Sequence, residues 1–306
     1  AVWGCVSGRA NGWEVTDSIF INNVAGGRAL QYYSPYEQGG GVMYETNLTA
    51  NNSIFSGNSG RSSVGGVLTN SKLNATNCTF NNNTSYFDGG VIYNGPVVAN
   101  NCAFISNSAA ANGGVQGYGS VTAVNSTFEG NHAANYGGVV FSSPLSARGS
   151  VFKDNYTSNY DGGVVYSGTL TALNSIFSGN SAGRNGGVTR VGSGSSLINC
   201  TFSGNRANSY GAVAQGGGSW TVKNSIFWNN QQLDSSTPET NSFYGMIGGS
   251  ISYSDIESGV HGNLVDYGNN INIDPMFVSG PTEDLRVNIH SPMIDRATTD
   301  AAVTTD

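Results

Sequence analysis

The stretch Asn77-Cys-Thr-Phe80-Asn-Asn-Asn83, closed five residues later by Asp88-Gly-Gly-Val-Ile92, decides the fold, because both parts return along the chain at a fixed offset. Phe55, Phe80, Phe104, Phe128, Phe152, Phe177, Phe202 and Phe227 follow one another at intervals of 24 or 25 residues. Three residues behind them stand Asn58, Asn83, Asn107, Asn131, Asn155, Asn180, Asn205 and, last, Asn230. An Asn also opens each phrase, except where Asp17 and Gly149 take its place ahead of Phe20 and Phe152. The double glycine runs from Gly40-Gly41-Val42 to Gly186-Gly187-Val188 and ends as Gly211-Ala212-Val213. A short apolar element precedes the opening Asn, as in Leu48-Thr-Ala50, Val121-Thr-Ala123, Leu170-Thr-Ala172 and Trp220-Thr-Val222. Only the interval from Phe20 to Phe55 is long, at 35 residues, which puts an insertion at residues 26–37.

A period of this length holds about three short strands and is too small to bury an apolar face alone, so each copy must stack on the next. The expected architecture is all-β, a right-handed parallel β-helix of about 24–25 residues per coil, the hand following from the crossover rule for parallel strands. At roughly 4.8 Å per rung, eight coils make a rod section about 38 Å long. The Phe and Val columns are expected to fill its interior. Asparagine tolerates the left-handed backbone of a bend and can stack its amide from rung to rung. Glycine supplies positive φ or room for a close backbone approach. The organisation expected is residues 1–45 as N-terminal coils with the insertion, 46–230 as the regular repeats, and 231–306 as acidic, less regular coils and tail.

Composition agrees with a turn-and-strand protein. The 306 residues include 44 Gly and 38 Asn, and 10% are charged, against about 25% in an ordinary domain. A helical bundle is excluded, and no apolar run reaches the ~18 residues of a membrane-spanning helix. The chain starts without Met or an apolar leader, as expected of a processed or excised segment. Residues 46–230 carry eight bases and four acids, while 231–306 carry eleven acids and two bases. Eight scattered bases do not make the clustered stripe that nucleic acid requires. Cys5, Cys78, Cys102 and Cys200 show no metal-ligand spacing. Three of them occupy the slot that Ser53, Ser126, Ser175 and Ser225 hold in other coils, so they read as small packed residues.

The Phe-x-x-Asn phrase joined to Gly-Gly-Val-[Ile/Val/Leu], as in Asp88-Gly-Gly-Val-Ile92 and Asp161-Gly-Gly-Val-Val165, resembles the repeat of the chlamydial polymorphic outer-membrane proteins, and does so over residues 17 to 230. Ile251 to Ile256, Asn272 to Phe277 and Ser291 to Asp295 resemble the C-terminal coils of bacterial surface β-helix proteins. The resemblance implies passenger-type, extracellular exposure; it does not imply an enzyme.

The competing class is a polysaccharide lyase or glycoside hydrolase, or a glycan-binding β-helix. A hydrolase needs paired carboxylates about one cleft. The best pair is Asp154 and Glu129 on neighbouring coils, with Lys153 beside them, and solvated loop charges are the simpler reading. His132, His261 and His290 share no spacing. Asp255, Glu257, Asp266 and Asp274 match no Ca²⁺ loop. No cofactor, metal site or catalytic residue is therefore assigned. Nine Asn-x-Ser/Thr sequons occur, about the chance number, and Asn47, Asn74 and Asn82 are the glycosylation candidates because they lie outside the repeat's Asn columns. Tyr86, Tyr136, Tyr160 and Tyr210 precede the glycine corner, alternate with Asn112 and Asn185, and are read as scattered surface residues forming no platform. The signs of rod and tail are complementary, so head-to-tail self-association is expected, with an extracellular glycan or cell surface as the other partner. The function expected is that of a non-catalytic, extracellular structural or adhesive surface protein.

Overall fold

The period folds into four strands per coil, one more than the sequence pattern announces. In one coil these are Leu73–Thr76, Thr79–Asn81, Thr84–Ser85 and, past the glycine corner, Ile92–Tyr93. The fourth is two residues long, too short to leave an alternating signature, yet it pairs in parallel with Leu68–Thr69 of the coil before it. The computed structural model describes residues 6–7, 12–25, 40–60, 64–190, 192–234, 241–280 and 282–298. The insertion read at residues 26–37 lies outside them. The described residues contain no helix, and their sheets are parallel and stacked as a β-solenoid of about eight turns.

Register follows the sequence columns. Phe80 pairs with Phe55 on one side and Phe104 on the other, inside a ten-stranded sheet that runs from Ile19–Ile21 to Asp255–Ile256. An eleven-stranded sheet carries the four-residue strands, and an eight-stranded sheet the pairs such as Thr84–Ser85. The sheet after the glycine corner is divided into four and five strands at Gln116, which joins Ile92 and Val140 by single bridges.

Side chains alternate in and out along each strand. Leu73, Ala75 and Phe80 point inward and are buried, and their equivalents repeat in the coils from Leu48 to Phe227. From Phe20 to Phe227 the phenylalanine rings form one continuous stack, with centroids 4.7–4.8 Å apart and planes within 6°. Where Leu-x-Ala becomes Ser195-x-Leu197, the large and small members have exchanged places, a swap that keeps core volume nearly constant.

The two asparagine columns part company. Asn52, Asn77, Asn101, Asn125, Asn174, Asn199 and Asn224 hold φ of +48° to +56° at the first bend. Asp17 and Gly149 replace Asn there and adopt the same region, at +50° and +58°. The column three residues after Phe is instead inside the rod. Asn58, Asn83, Asn107, Asn131, Asn155, Asn180 and Asn205 have no exposed surface. Asn131 is typical. Its Nδ2 donates to Asn155 Oδ1 at 2.9 Å and to the Phe104 carbonyl at 2.9 Å. Its Oδ1 accepts from the backbone N–H and the Nδ2 of Asn107. All four carboxamide valences are used, and the chain of bonds continues from Asn23 to Asn230.

The glycine pair also divides its labour. The first member, such as Gly113, needs φ of +65°. The second, such as Gly114, lies against the carbonyl oxygen of Gly138 in the next coil, leaving no room for a Cβ. Ala212 stands at that second place in the last regular coil, where the neighbour is Asn241 rather than another glycine corner.

Beyond Gln232 the rod gains a less regular coil, with Phe243–Tyr244, Ser250–Ser252 and Asp255–Ile256. The chain then returns along its own flank. Asn224 and Thr298 exchange hydrogen bonds at 3.0 and 3.1 Å, Phe277 bridges Val287 in antiparallel fashion, and Phe277 to Gly280 line a shallow hollow with Trp228. The Ile273 amide also donates to Asp255 Oδ1 at 3.2 Å.

Replacing Asn131 with Ala strands two buried donors of Asn107, each costing about 1–3 kcal/mol, so urea denaturation should show a loss of at least about 2 kcal/mol. Asn131→Asp should cost more near neutral pH, because an acceptor then faces Asn155 Oδ1 and the Phe104 carbonyl. Acidification should recover part of that loss, since a protonated acid regains one donor.

Candidate functional site

The carboxylate pair suggested by spacing is brought close but is engaged otherwise. Glu129 and Lys153 are register partners on adjacent strands, and their ion pair measures 3.8 Å on the surface, a contact worth at most about 1 kcal/mol. Asp154 sits at a bend with φ of +52° and leans over Gly179 of the next coil. Burial holds its carboxyl above the ordinary value. Together these residues make a bend and a surface ion pair. His132 stacks on Tyr156 at 4.4 Å and bonds Ser158 Oγ through Nε2. His261 accepts from the Phe243 amide through Nε2 and bonds the Gly259 carbonyl through Nδ1, far along the chain from His132. His290 is exposed.

Cys78, Cys102 and Cys200 are buried free thiols. They are also members of a second ladder: the Cys78 amide donates to Cys102 Sγ at 3.4 Å, the Cys102 amide to Ser126 Oγ, and the Cys200 amide to Ser225 Oγ. Burial pushes the Cys200 thiol up to about 12, so it stays protonated and donates to the Ile198 carbonyl.

Of the sequon asparagines, Asn47 and Asn82 are exposed and Asn74 is half-buried on the outer row of its strand. Asn47 uses Oδ1 to accept the Lys72 amide, and Asn82 occupies a bend with φ of +53°. Asn83 and Asn155, which also carry the sequon, are ladder residues sealed in the core.

Asp255 lies in the last strand of the ten-stranded sheet and is 2% exposed. Its Oδ1 accepts the Ile273 amide at 3.2 Å, while its Oδ2 has no partner among the described residues. A cavity of about 90 Å³, lined by Ile226, Ile271, Met293 and Arg296, adjoins it. Burial, followed by the charges of Asp274 and Glu257, raises its pKa to about 7. Among the described residues, no group of three His, Cys, Asp or Glu side chains could hold a metal ion.

The arrangement with the most chemistry is one flank of the rod, and it corrects the reading of Tyr136 and Tyr160 as scattered, whereas Tyr86 packs on Phe87 and Tyr210 on Tyr244. In four coils the residue two places after the corner valine points outward on the short fourth strand: Tyr93, Phe141, Tyr166 and Arg190. Tyr118 fills the coil at Gln116. Ring centroids step from Tyr93 to Tyr118 at 5.7 Å, to Phe141 at 5.1 Å and to Tyr166 at 5.7 Å. From the far side of the corner, Tyr136 reaches Tyr166 at 4.3 Å and Tyr160 at 5.1 Å. The guanidinium groups of Arg184 and Arg190 then extend the row over the Tyr160 and Tyr166 rings, at 5.5 and 5.8 Å.

Asp161 anchors both arginines. It has no exposed surface, binds Arg184 in a two-point pair at 2.9 and 3.0 Å, lies 3.5 Å from Arg190, and accepts the Asn185 amide and side chain. Hydrogen bonding to Asp161 raises the Arg184 pKa further. Two cations meet one carboxylate, which leaves this end of the flank with one net positive charge. Tyr118 and Tyr160 are each 40% exposed. The sequence carries the signal two places after the corner valine, as Tyr93, Phe141, Tyr166 and Arg190, but single positions a whole coil apart form no local aromatic run.

Residues 77–95 and 125–143 match the family model of the Chlamydia polymorphic membrane protein repeat. Each match opens on a first-bend asparagine, spans the phenylalanine, the buried asparagine and the glycine corner, and includes a flank aromatic, Tyr93 or Phe141. The resemblance read from the repeated phrase therefore holds at these coils. No curated protein and no solved structure matches the chain.

Asp255 sets a pH dependence. Its folded pKa of about 7 exceeds the ordinary carboxyl value near 4, so the folded state binds the extra proton between them. Stability from this group is full below about pH 4 and is lost as pH rises through about 7. The melting temperature should fall over that window, and Asp255→Asn should flatten this part of the curve.

Proposed function

We propose that the protein is a non-catalytic surface rod that adheres through its aromatic and arginine flank. The observation that carries the reading is the continuity of that flank, in which six rings and two guanidinium groups from successive coils touch in sequence. Aromatic and arginine side chains give the most contact energy at interfaces for the least ordering cost. A solenoid suits the role because each coil contributes the same small area and length sets the total. The two matched coils belong to a repeat named for a membrane protein family, which supports exposure at a cell surface. Among the described residues, no helix is long and apolar enough to cross a membrane. Accessible sequon residues Asn47, Asn74 and Asn82 fit an extracellular glycoprotein. The pairing of Glu129 with Lys153, away from any cleft lined by both carboxylates, supports a role without turnover.

Brief protease treatment of intact expressing cells should remove the protein while leaving internal markers untouched; full protection would overturn surface exposure. Beads coated with purified protein should bind cell surfaces. Incubation with acidic polysaccharides should release no reducing ends or unsaturated products. Turnover that Asp154→Ala abolishes would replace this reading with that of an enzyme.

A further inference from the structure

We infer that the flank binds an anionic linear glycan laid parallel to the rod axis, about one sugar to each coil. This names the partner of the adhesive surface proposed above and rests on that reading. The flank rings step from coil to coil at 5.1–5.7 Å, on coils whose strands lie about 4.8 Å apart. An extended linear pyranose chain advances by a similar distance per sugar and stays in step over the five coils from Tyr93 to Arg190. An extended peptide presents side chains to one face only every ~6.7 Å, so it falls out of step after two coils.

Charge selects among glycans. Arg184 and Arg190 share the single carboxylate of Asp161; Arg184 spends Nε and one terminal N–H on it and Arg190 gives Nε to Gln215, so the remaining N–H groups at the guanidinium ends are the donors for a carboxylate or sulfate. Tyrosine rings and hydroxyls at Tyr118, Tyr136 and Tyr160 offer an apolar surface and hydrogen bonds to the sugar itself. Asp161 stays in place beneath the arginines, fully buried and bonded to Asn185, so the cationic end is held rigid before the ligand arrives.

The test is calorimetric titration of the purified protein with oligogalacturonates of increasing length, a heparin-derived hexasaccharide, and neutral cellohexaose. Affinity should rise with length up to about five sugars, fall as salt is added, and be far weaker for cellohexaose. The two acidic probes distinguish uronate from sulfate as the recognised group. Tyr166→Ala, and Arg190→Lys, which keeps a cation beside Asp161 while removing the planar paired donors, should each weaken binding by about tenfold or more, with melting curves like wild type. No binding of either acidic probe, equal binding of cellohexaose, or unchanged affinity in both folded variants would overturn the inference. If coated beads still adhere to cells through both variants, adhesion stands and the assigned ligand falls; if the glycan is bound and cleaved, the binding site stands and the non-catalytic reading falls.

Discussion

The buried carboxamide ladder is the constraint on which the rest of the rod depends. A side chain sealed in the core must spend every donor and acceptor it brings, and a carboxamide brings two of each. Stacked at the rung spacing, asparagine meets this demand by giving one hydrogen to the next asparagine and one to a phenylalanine carbonyl, and by accepting from the previous residue's side chain and backbone. Aspartate lacks the donors and leucine lacks both. The solution works only if the same residue stands at the same place in each coil, so the ladder enforces the period. Variation is confined to where the ladder is absent: the extra residue of the longer coils falls in the loop before the glycine corner, as after Phe55 and Phe152, or in the loop after the corner valine, as before Phe202 and Phe227.

Two further columns lean on that registration. Ser and Cys alternate in a hydrogen-bonded slot, each accepting an amide from the previous coil and donating to a carbonyl two residues back. Sulfur serves there because the role is geometric: the thiols of Cys102 and Cys200 donate to the carbonyl two residues back as the serine hydroxyls do. The glycine corner lets the fourth strand turn back against its neighbour, since Gly114 meets a backbone oxygen where any side chain would stand. Neutral columns of Phe, Val, Asn, Ser, Cys and Gly leave little place for charge. Asp88 and Asp161 stand buried in the same column before the glycine corner; Asp88 is held by Asn112, and Asp161, with no exposed surface, is kept by two guanidinium groups and an asparagine. A charge so placed is costly unless fully paired, and its partners stand on the one flank where aromatic rings gather.

Much of this was legible beforehand. Phenylalanine spacing announced coils, and the double glycine announced a corner at fixed distance. Asparagine was legible only as a column residue: nothing in the phrase Asn52-Ser-Ile-Phe55-Ser-Gly-Asn58 says that its first member bends the chain outside while its last is buried. The cysteines were legible as replacements for serine but not as bonded members of a ladder.

The sequence by itself determined the repeat, the parallel stacking and the residue type of each column, because a period maps equivalent residues onto one line along the axis. The tertiary structure decided how different columns meet. Tyr166 and Tyr136 are thirty residues apart in the chain, on opposite sides of a glycine corner, and they touch because the corner's turn brings the edges of two columns together. Periodicity fixes distances along the axis. The angle around it is set by backbone torsions at each bend and by packing of the whole coil, and that angle is what gathers the rings and the two arginines onto one flank.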